Sequence, residues 1–258
     1  MANTHDHATG QPRAIAQRLS GTCAIVTGAA QGIGRPIADR LAAEGSHVVC
    51  LDVHEMAAPV VQGQEFHFCD VTDVHQVQDV VANVLAEHGG VDILVNNAGL
   101  LEQARSLRDV TSEQLHQYFD TNAVGPMLMV QAAYDALITS TWRGRVINIA
   151  SRTFFTGSSR QPAYVASKGA LLGLTRVMAH ELGEYGVTVN AVVPSQIASP
   201  GTRRYTSDEA FASTMGRQAI REFVTGDDVA GSVAFLASPD GTMMTGQTVV
   251  CDGGGLMR

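Results

Sequence analysis

Short apolar runs rich in β-branched residues alternate along this chain with longer segments whose apolar residues recur at helical spacing. Strands are expected over 22–27, 46–51, 65–69, 91–95, 145–150, 187–193 and 247–251. They are short and continuously apolar, as strands buried on both faces of a parallel sheet are. Helices are expected from the glycine-rich stretch after Thr27 to Glu44, from the capping pair Thr72-Asp73 onward, over 112–138, over 163–182, and from near Asp227. Pro36 falls in a first helical turn, where its missing N–H has no intrahelical partner to lose. This alternation predicts one α/β domain over 19–258, a doubly wound parallel sheet with helices on both faces and ligands at the strand C-termini. It breaks over 194–226, a long mixed segment expected to act as a lid. Residues 1–18 are polar and are expected to form a flexible tail.

The first strand runs into Gly28-Ala29-Ala30-Gln31-Gly32-Ile33-Gly34 and then a helix. Strand, glycine turn and helix together suit a pyrophosphate, because the backbone can approach closely and the helix N-terminus attracts the anion. The candidate cofactor contacts here are Gly28, Gln31, Gly32, Ile33 and Gly34. The second strand ends in Asp52, placed to accept both ribose hydroxyls of an adenosine and to repel a 2′-phosphate. No Arg or Lys stands beside Asp52 or within 29–31, so the expected cofactor is NAD, and the sheet is Rossmann-type. The fourth strand runs into Asn96-Asn97-Ala98-Gly99 and the fifth into Ser151, placing polar groups where such a sheet binds its ligand. Asn122 lies inside an expected helix, where it either faces solvent or has a local partner. Tyr164 and Lys168 stand four apart on a helix and therefore project together. An ammonium beside a phenol favours the phenolate, so the pair is placed to move a proton on and off an alcohol oxygen. Chance spacing on a long helix is the other reading of these two residues.

Composition narrows the class. The chain has 258 residues, 45% of them hydrophobic, and a formal charge of −8, enough for a large core and unsuited to a nucleic-acid surface. No apolar run has the length of a membrane span, and 1–18 lacks the apolar stretch of a signal peptide, so a cytoplasmic location is expected. Cys23, Cys50, Cys69 and Cys251 are scattered singly among apolar residues and read as buried hydrophobes. His5-Asp6-His7 reads as solvated, and no metal site follows from the sequence.

From Leu19 onward the chain resembles the short-chain dehydrogenase/reductase family. Thr27-Gly28-x-x-x-Gly32-x-Gly34, Asn96-Asn97-Ala98-Gly99, Asn122, Ser151 and Tyr164-x-x-x-Lys168 stand in the family's order. The resemblance implies Tyr164 as acid/base, Ser151 holding the reacting oxygen, Lys168 on the nicotinamide ribose and tuning Tyr164, and Asn122 anchoring a water in a proton relay. It further implies Asp70 and Val71 beside the adenine, Asn97, Ala98 and Gly99 along the cofactor, and a segment after Pro194 covering the nicotinamide, with Ile197 and Ser199 near its carboxamide. Ser195 and Ser199 depart from the family's glycine and threonine. A homotetramer built on the helices carrying Asn122 and Tyr164 is implied too, with Ala166, Gly169, Ala170 and Gly173 suited to close helix packing. The expected substrate is a small secondary alcohol or its carbonyl counterpart. The stretch Arg152-Thr153-Phe154-Phe155-Thr156-Gly157, with Tyr205, Met215 and Phe223, suggests an aromatic-friendly wall or else ordinary packing, and two stretches are similar to ones in pyridoxal 4-dehydrogenase and 1-phenylethanol dehydrogenases, which favours a ring-bearing alcohol. Arg203 and Arg204 are the other reading, an attraction for an anionic substrate, although adjacent arginines in a loop are usually solvated. A 3-oxoacyl reductase or a sugar dehydrogenase of the same family would share the catalytic residues. A non-catalytic NAD-binding protein would have no need of them.

Overall fold

The computed structural model of the chain describes residues 16–56, 60–101, 105–203 and 206–257. Most of the expected tail, with His5, Asp6 and His7, and also Arg204 and Tyr205, lie outside the described residues. All seven expected strands form: β1 Cys23–Thr27, β2 His47–Asp52, β3 Gln64–Phe68, β4 Ile93–Asn96, β5 Arg145–Ile149, β6 Thr188–Pro194 and β7 Thr248–Cys251. They pair in parallel in the order β3-β2-β1-β4-β5-β6-β7. The winding reverses between β1 and β4, and the crevice at their C-terminal ends is where such a sheet receives a ligand.

Alternate strand residues feed two cores, as the pleat requires. Ala24 and Val26 pack with Ile37 and Leu41 of α1 (Gly34–Ala43) and Val229 and Val233 of α10 (Gly226–Ala237). Cys23 and Ile25 face the other way, toward Val77 and Val81 of α2 (Val74–His88) and Met178 and Leu182 of α7 (Pro162–Leu182). Helices thus cover both faces. Asp73 caps α2 as its position predicts, accepting from the N–H groups of His75 at 2.9 Å and Gln76 at 3.2 Å.

The helix expected over 112–138 is not continuous. It divides into α3 (Ser112–Phe119), a π-helical turn at Asp120–Val124, α4 (Gly125–Ala132) and α5 (Tyr134–Thr139). Pro126 has no N–H to return to the carbonyl of Asn122, so the α-helical ladder cannot run through, and the N–H of Gly125 reaches back to the carbonyl of Asp120 instead. The segment after β6 carries two short helices, α8 (Pro200–Arg203) and α9 (Asp208–Met215), with α6 (Thr153–Thr156) lying after β5. Among the described residues no helix is long and apolar enough to cross a membrane.

Candidate active site

The glycine turn is fixed to the neighbouring strand by side chains as well as backbone. Thr27 Oγ1 accepts from the N–H groups of Asn97 and Ala98, both at 3.0 Å, and the Asn97 amide donates to the carbonyls of Thr27 at 3.0 Å and Gly28 at 2.9 Å. Gly28 has φ +65°, and a Cβ there would stand 2.8 Å from the Ala98 Cα; a Cβ on Gly34 would stand 2.1 Å from the Gly28 carbonyl oxygen. Only glycine fits at either place. Gly32, at φ +64°, has open space around it, so its requirement is conformational alone.

Beside this turn a cleft of about 520 Å³ runs past Gly28, Gln31, Gly32, Ile33, Asp52, Asp70, Val71, Asn97, Ala98 and Gly99, so these expected cofactor contacts come together. Gly34 stands behind the turn and lines neither this cleft nor the cavity next to it. The cradle that a Cβ would fill, and the carboxylate beyond it, fit a dinucleotide. Asp52 is nearly buried; its Oδ2 accepts from the N–H of Ala30 at 2.9 Å and its Oδ1 from the N–H of His54 at 3.0 Å. The carboxylate therefore also holds the turn in shape. Asp70 is braced in turn by Thr72, whose N–H and hydroxyl donate to it at 2.9 and 2.8 Å.

A second cavity, of about 420 Å³, continues from the first and contains Ser151, Tyr164, Lys168, Pro194, Ile197 and Ser199. α7 presents Tyr164 and Lys168 on one buried face, the Lys168 Nζ 5.9 Å from the centre of the Tyr164 ring, and that ammonium donates to the carbonyl of Ile149 at 2.8 Å. Burial pushes Tyr164 up from its ordinary value, and a hydrogen bond with Ser151 pulls it the other way. Burial also pushes Lys168 down, to about 8. Ser151 is itself aligned by Thr153, their hydroxyls 2.9 Å apart. Thr153 follows Ser151 by two positions, in the stretch expected to supply the substrate wall, and it lines the cavity.

Asn122 has the partner that its place in a helix called for and does not face solvent. Fully buried in the π-turn, its Oδ1 accepts from the N–H of Leu100 at 2.8 Å and its Nδ2 donates to Ser167 Oγ at 2.9 Å. It lines neither cavity, and its side chain ties the loop after β4 to the helix bearing Tyr164. Ser195 is accommodated where the family carries glycine: it is buried and donates to Gln218 Oε1 at 3.3 Å. Ser199 pairs with Thr202, a residue without a sequence signal, whose hydroxyl accepts from the Ser199 N–H at 2.8 Å and which lines both cavities.

Among the described residues, Phe154, Phe155, Met215 and Phe223 of the expected wall do not line the cavity. Phe154 lies against Gly169, where a Cβ would come within 2.7 Å of the ring, and Phe155 packs on the cluster of Ala150, Leu172, Ala191 and Val193. Phe223 is exposed, and neither it nor Met215 lines the cavity. The wall is made instead by Arg152, Thr153, Gln161, Thr206, Thr214 and Arg217, among others. The same contact explains Gly169, whose small size serves Phe154 of its own chain. Far from this site, at β2, β3 and the end of α2, His47, Glu65 and His88 bring ligating atoms within 4.8 Å of one another, a grouping that their separation in sequence concealed.

The sequence model of a family described as enoyl-(acyl carrier protein) reductase matches residues 28–255. The chain is 35% identical to galactitol 2-dehydrogenase of Agrobacterium fabrum, the match covering 93% of this chain and 99% of that protein. It is 34% identical to (+)-borneol dehydrogenase 1 of Salvia officinalis, covering 93% and 96%. Among solved structures, ligand-free aldohexose dehydrogenase of Thermoplasma acidophilum is similar with a TM-score of 0.85 at 30% identity, covering 92% of this chain and 94% of that one.

Proposed function

Because the chain belongs to the short-chain dehydrogenase/reductase family, whose members are oxidoreductases working with nicotinamide dinucleotides, we propose that it interconverts a secondary alcohol and its carbonyl compound with NAD. The observation that carries this reading is that Ser151, Tyr164 and Lys168 line one cavity, which shares Ile33, Asn97 and Gly99 with the cleft beside the glycine turn. NAD, held along Gly28, Gln31, Gly32, Ile33, Asp52, Asp70, Val71, Ala98 and Gly99, supplies the hydride acceptor. Tyr164 takes the hydroxyl proton in oxidation and returns it in reduction. Ser151, aligned by Thr153, donates a hydrogen bond to the same oxygen as negative charge grows on it. Lys168, protonated below about 8, holds positive charge near the phenol and is placed for the ribose next to the nicotinamide. Asn122 keeps the loop and helix that carry these groups in register, and is the residue we assign to the water of the proton relay. Pro194, Ile197 and Ser199 begin a lid that excludes water from the reacting atoms.

The choice of NAD over its 2′-phosphate is supported by charge. The described residues lining the adenosine end include Asp52, Asp70 and Asp120 and no Arg or Lys. We further propose a cytoplasmic homotetramer using the exposed stripe of α7 that contains Ala166, Gly173 and Val177; a monomer in light scattering at micromolar concentration would remove that part. The catalytic reading is tested by steady-state kinetics with NAD and NADP on a secondary-alcohol panel. NAD should be preferred by at least about tenfold, or 1.4 kcal/mol, and Asp52→Ala should narrow the gap. Tyr164→Phe should lower kcat by about 10³-fold or more while fluorescence titration shows the dinucleotide still bound. Full turnover by Tyr164→Phe would end the proposal.

A further inference from the structure

The substrate end holds a charge arrangement that hydride transfer does not use. Among the described residues, the cavity beside Tyr164 is lined by three cationic side chains, Arg152, Lys168 and Arg217, and by no carboxylate. Lys168 donates to the carbonyl of Ile149 at 2.8 Å. The Arg152 side chain is 11% exposed, and its one acidic neighbour, Oδ2 of Asp252, stands 3.7 Å from Nη1. The other oxygen of that carboxylate accepts from the N–H groups of Gly254 and Gly255, both at 3.0 Å, while Oδ2 has no hydrogen-bond partner among the described residues. Arg217 donates to neutral oxygens, Ser213 Oγ at 3.0 Å and Thr214 Oγ1 at 3.5 Å, and makes no salt bridge among the described residues. Burial first, and then the charge of Arg217, depress Arg152 against the opposing pull of Asp252.

A guanidinium does not give up its proton in a protein; Asp252 meets part of the charge of Arg152, and that of Arg217, with neutral oxygens for partners among the described residues, is left to solvent or to a ligand. The surroundings do not supply the compensation by accident: the chain as a whole is at −8, and the acidic lining lies at the adenosine end of the cleft. Arg152 and Ser151 line the same cavity of about 420 Å³, so an anion on the one and a hydroxyl on the other would belong to one compact molecule.

We infer that Arg152 and Arg217 form an anion subsite, and that the alcohol oxidised here carries a carboxylate or a phosphate beside its reacting hydroxyl. The inference rests on the dehydrogenase reading, because Ser151 and Tyr164 fix where the hydroxyl sits. The guanidinium fork matches both kinds of anion, donating to two of their oxygens side by side, which an ammonium or a hydroxyl does not.

The test is a matched panel on the full-length enzyme with saturating NAD. 3-Hydroxybutyrate is set against its methyl ester and amide, galactonate against galactitol, and glycerol 3-phosphate against glycerol. The anionic member of the pair that is used should exceed its neutral partner by about tenfold or more in kcat/KM, mostly through KM, and the carboxylate and phosphate pairs separate the two sources. In Arg217→Gln, chosen because Arg217 is exposed and its loss leaves the fold alone, the ratio of anionic to neutral kcat/KM should collapse toward one. Arg217→Lys should recover part of it. In parallel, oxalate and inorganic phosphate are titrated onto the NAD-bound protein by calorimetry. Neutral alcohols used equally well, or oxalate and phosphate binding that is the same in Arg217→Gln, would overturn the subsite. If no alcohol of either charge is oxidised while oxalate binds in an Arg217-dependent way, the subsite stands and the dehydrogenase reading falls.

Discussion

At the adenosine end of the cleft the charged side chains are Asp52, Asp70 and Asp120, with His54 beside them; at the substrate end they are Arg152, Lys168 and Arg217. The two ends share Ile33, Asn97, Gly99, Leu100, Leu101, Ser199 and Thr202, so they are parts of one cleft with opposite polarity. They also differ in how they are made. The adenosine end centres on backbone, the turn 28–34 and the first residues after β2, β3 and β4, with Asp120 and Ser199 arriving from farther along the chain. The substrate end is made mostly of side chains from stretches far apart in sequence, among them the residues after β5, the face of α7 and the segment that follows β6. A backbone-built site tolerates almost no added atoms. A side-chain-built site can change its ligand by exchanging a few residues while the proton-transfer pair stays in place.

The largest expected effect breaks the first end. Gly34→Ala would drive a Cβ to 2.1 Å from the Gly28 carbonyl and 2.5 Å from the Asn97 amide. It should cost about 2–4 kcal/mol in urea unfolding and remove measurable NAD binding in calorimetry. Gly32→Ala, in open space, should cost only about 1 kcal/mol from its positive φ. Equal effects of the two would remove the distinction between steric and conformational glycines.

A smaller effect sharpens the second end. Lys168 titrates at about 8 in the folded protein against an ordinary 10.5. Between those values the unfolded chain keeps a proton that the folded chain has released, so this group makes stability rise with pH across that window. Tyr164 is shifted upward, so its contribution turns against folding only above about pH 10. Lys168→Met removes the first contribution. From pH 7 to pH 10 the parent should therefore gain on the order of 2 kcal/mol relative to the variant in cofactor-free urea unfolding. A difference that is constant with pH would show that Lys168 is not held against burial.

The smallest effect concerns a residue that the sequence placed in the wall and the fold does not. Phe154→Ala should change KM for a neutral aryl alcohol by less than about twofold, since its ring rests on Gly169 outside the cavity. A loss of tenfold in KM, measured alongside an unaltered NAD affinity, would return Phe154 to the substrate site.

This contrast also decides what could be read from the amino-acid order. Gly28, Gly32, Gly34 and Asp52 act through local backbone geometry, and Tyr164 with Lys168 through one helical turn, so spacing alone brought them together. Asn122 was ambiguous because its partners, Leu100 and Ser167, arrive from other elements. The break at Asp120–Val124 was missed because the run is apolar at helical spacing, and only the single missing N–H of Pro126 interrupts it. Phe154 and Phe155 satisfied a hydrophobic pattern that the interior meets as well as a ligand would. Arg152 was placed at the substrate wall only as part of the stretch after Ser151, and Arg217 gave no signal, because their meeting depends on how the segment after β6 lies over the sheet.

The π-turn has a consequence for how this chain tolerates length changes. A π-turn holds one residue more than the α-turn it replaces, and each residue of an α-helix advances about 100° around the axis. The helical phase on one side of Asp120–Val124 is therefore offset from the phase on the other by about one residue's worth of rotation. Removing a single residue there would restore an unbroken pitch and, in the same stroke, swing Asn122 and the buried Met129 and Val130 of α4 out of alignment with α3. At this point of the molecule the count of residues matters more than their identity.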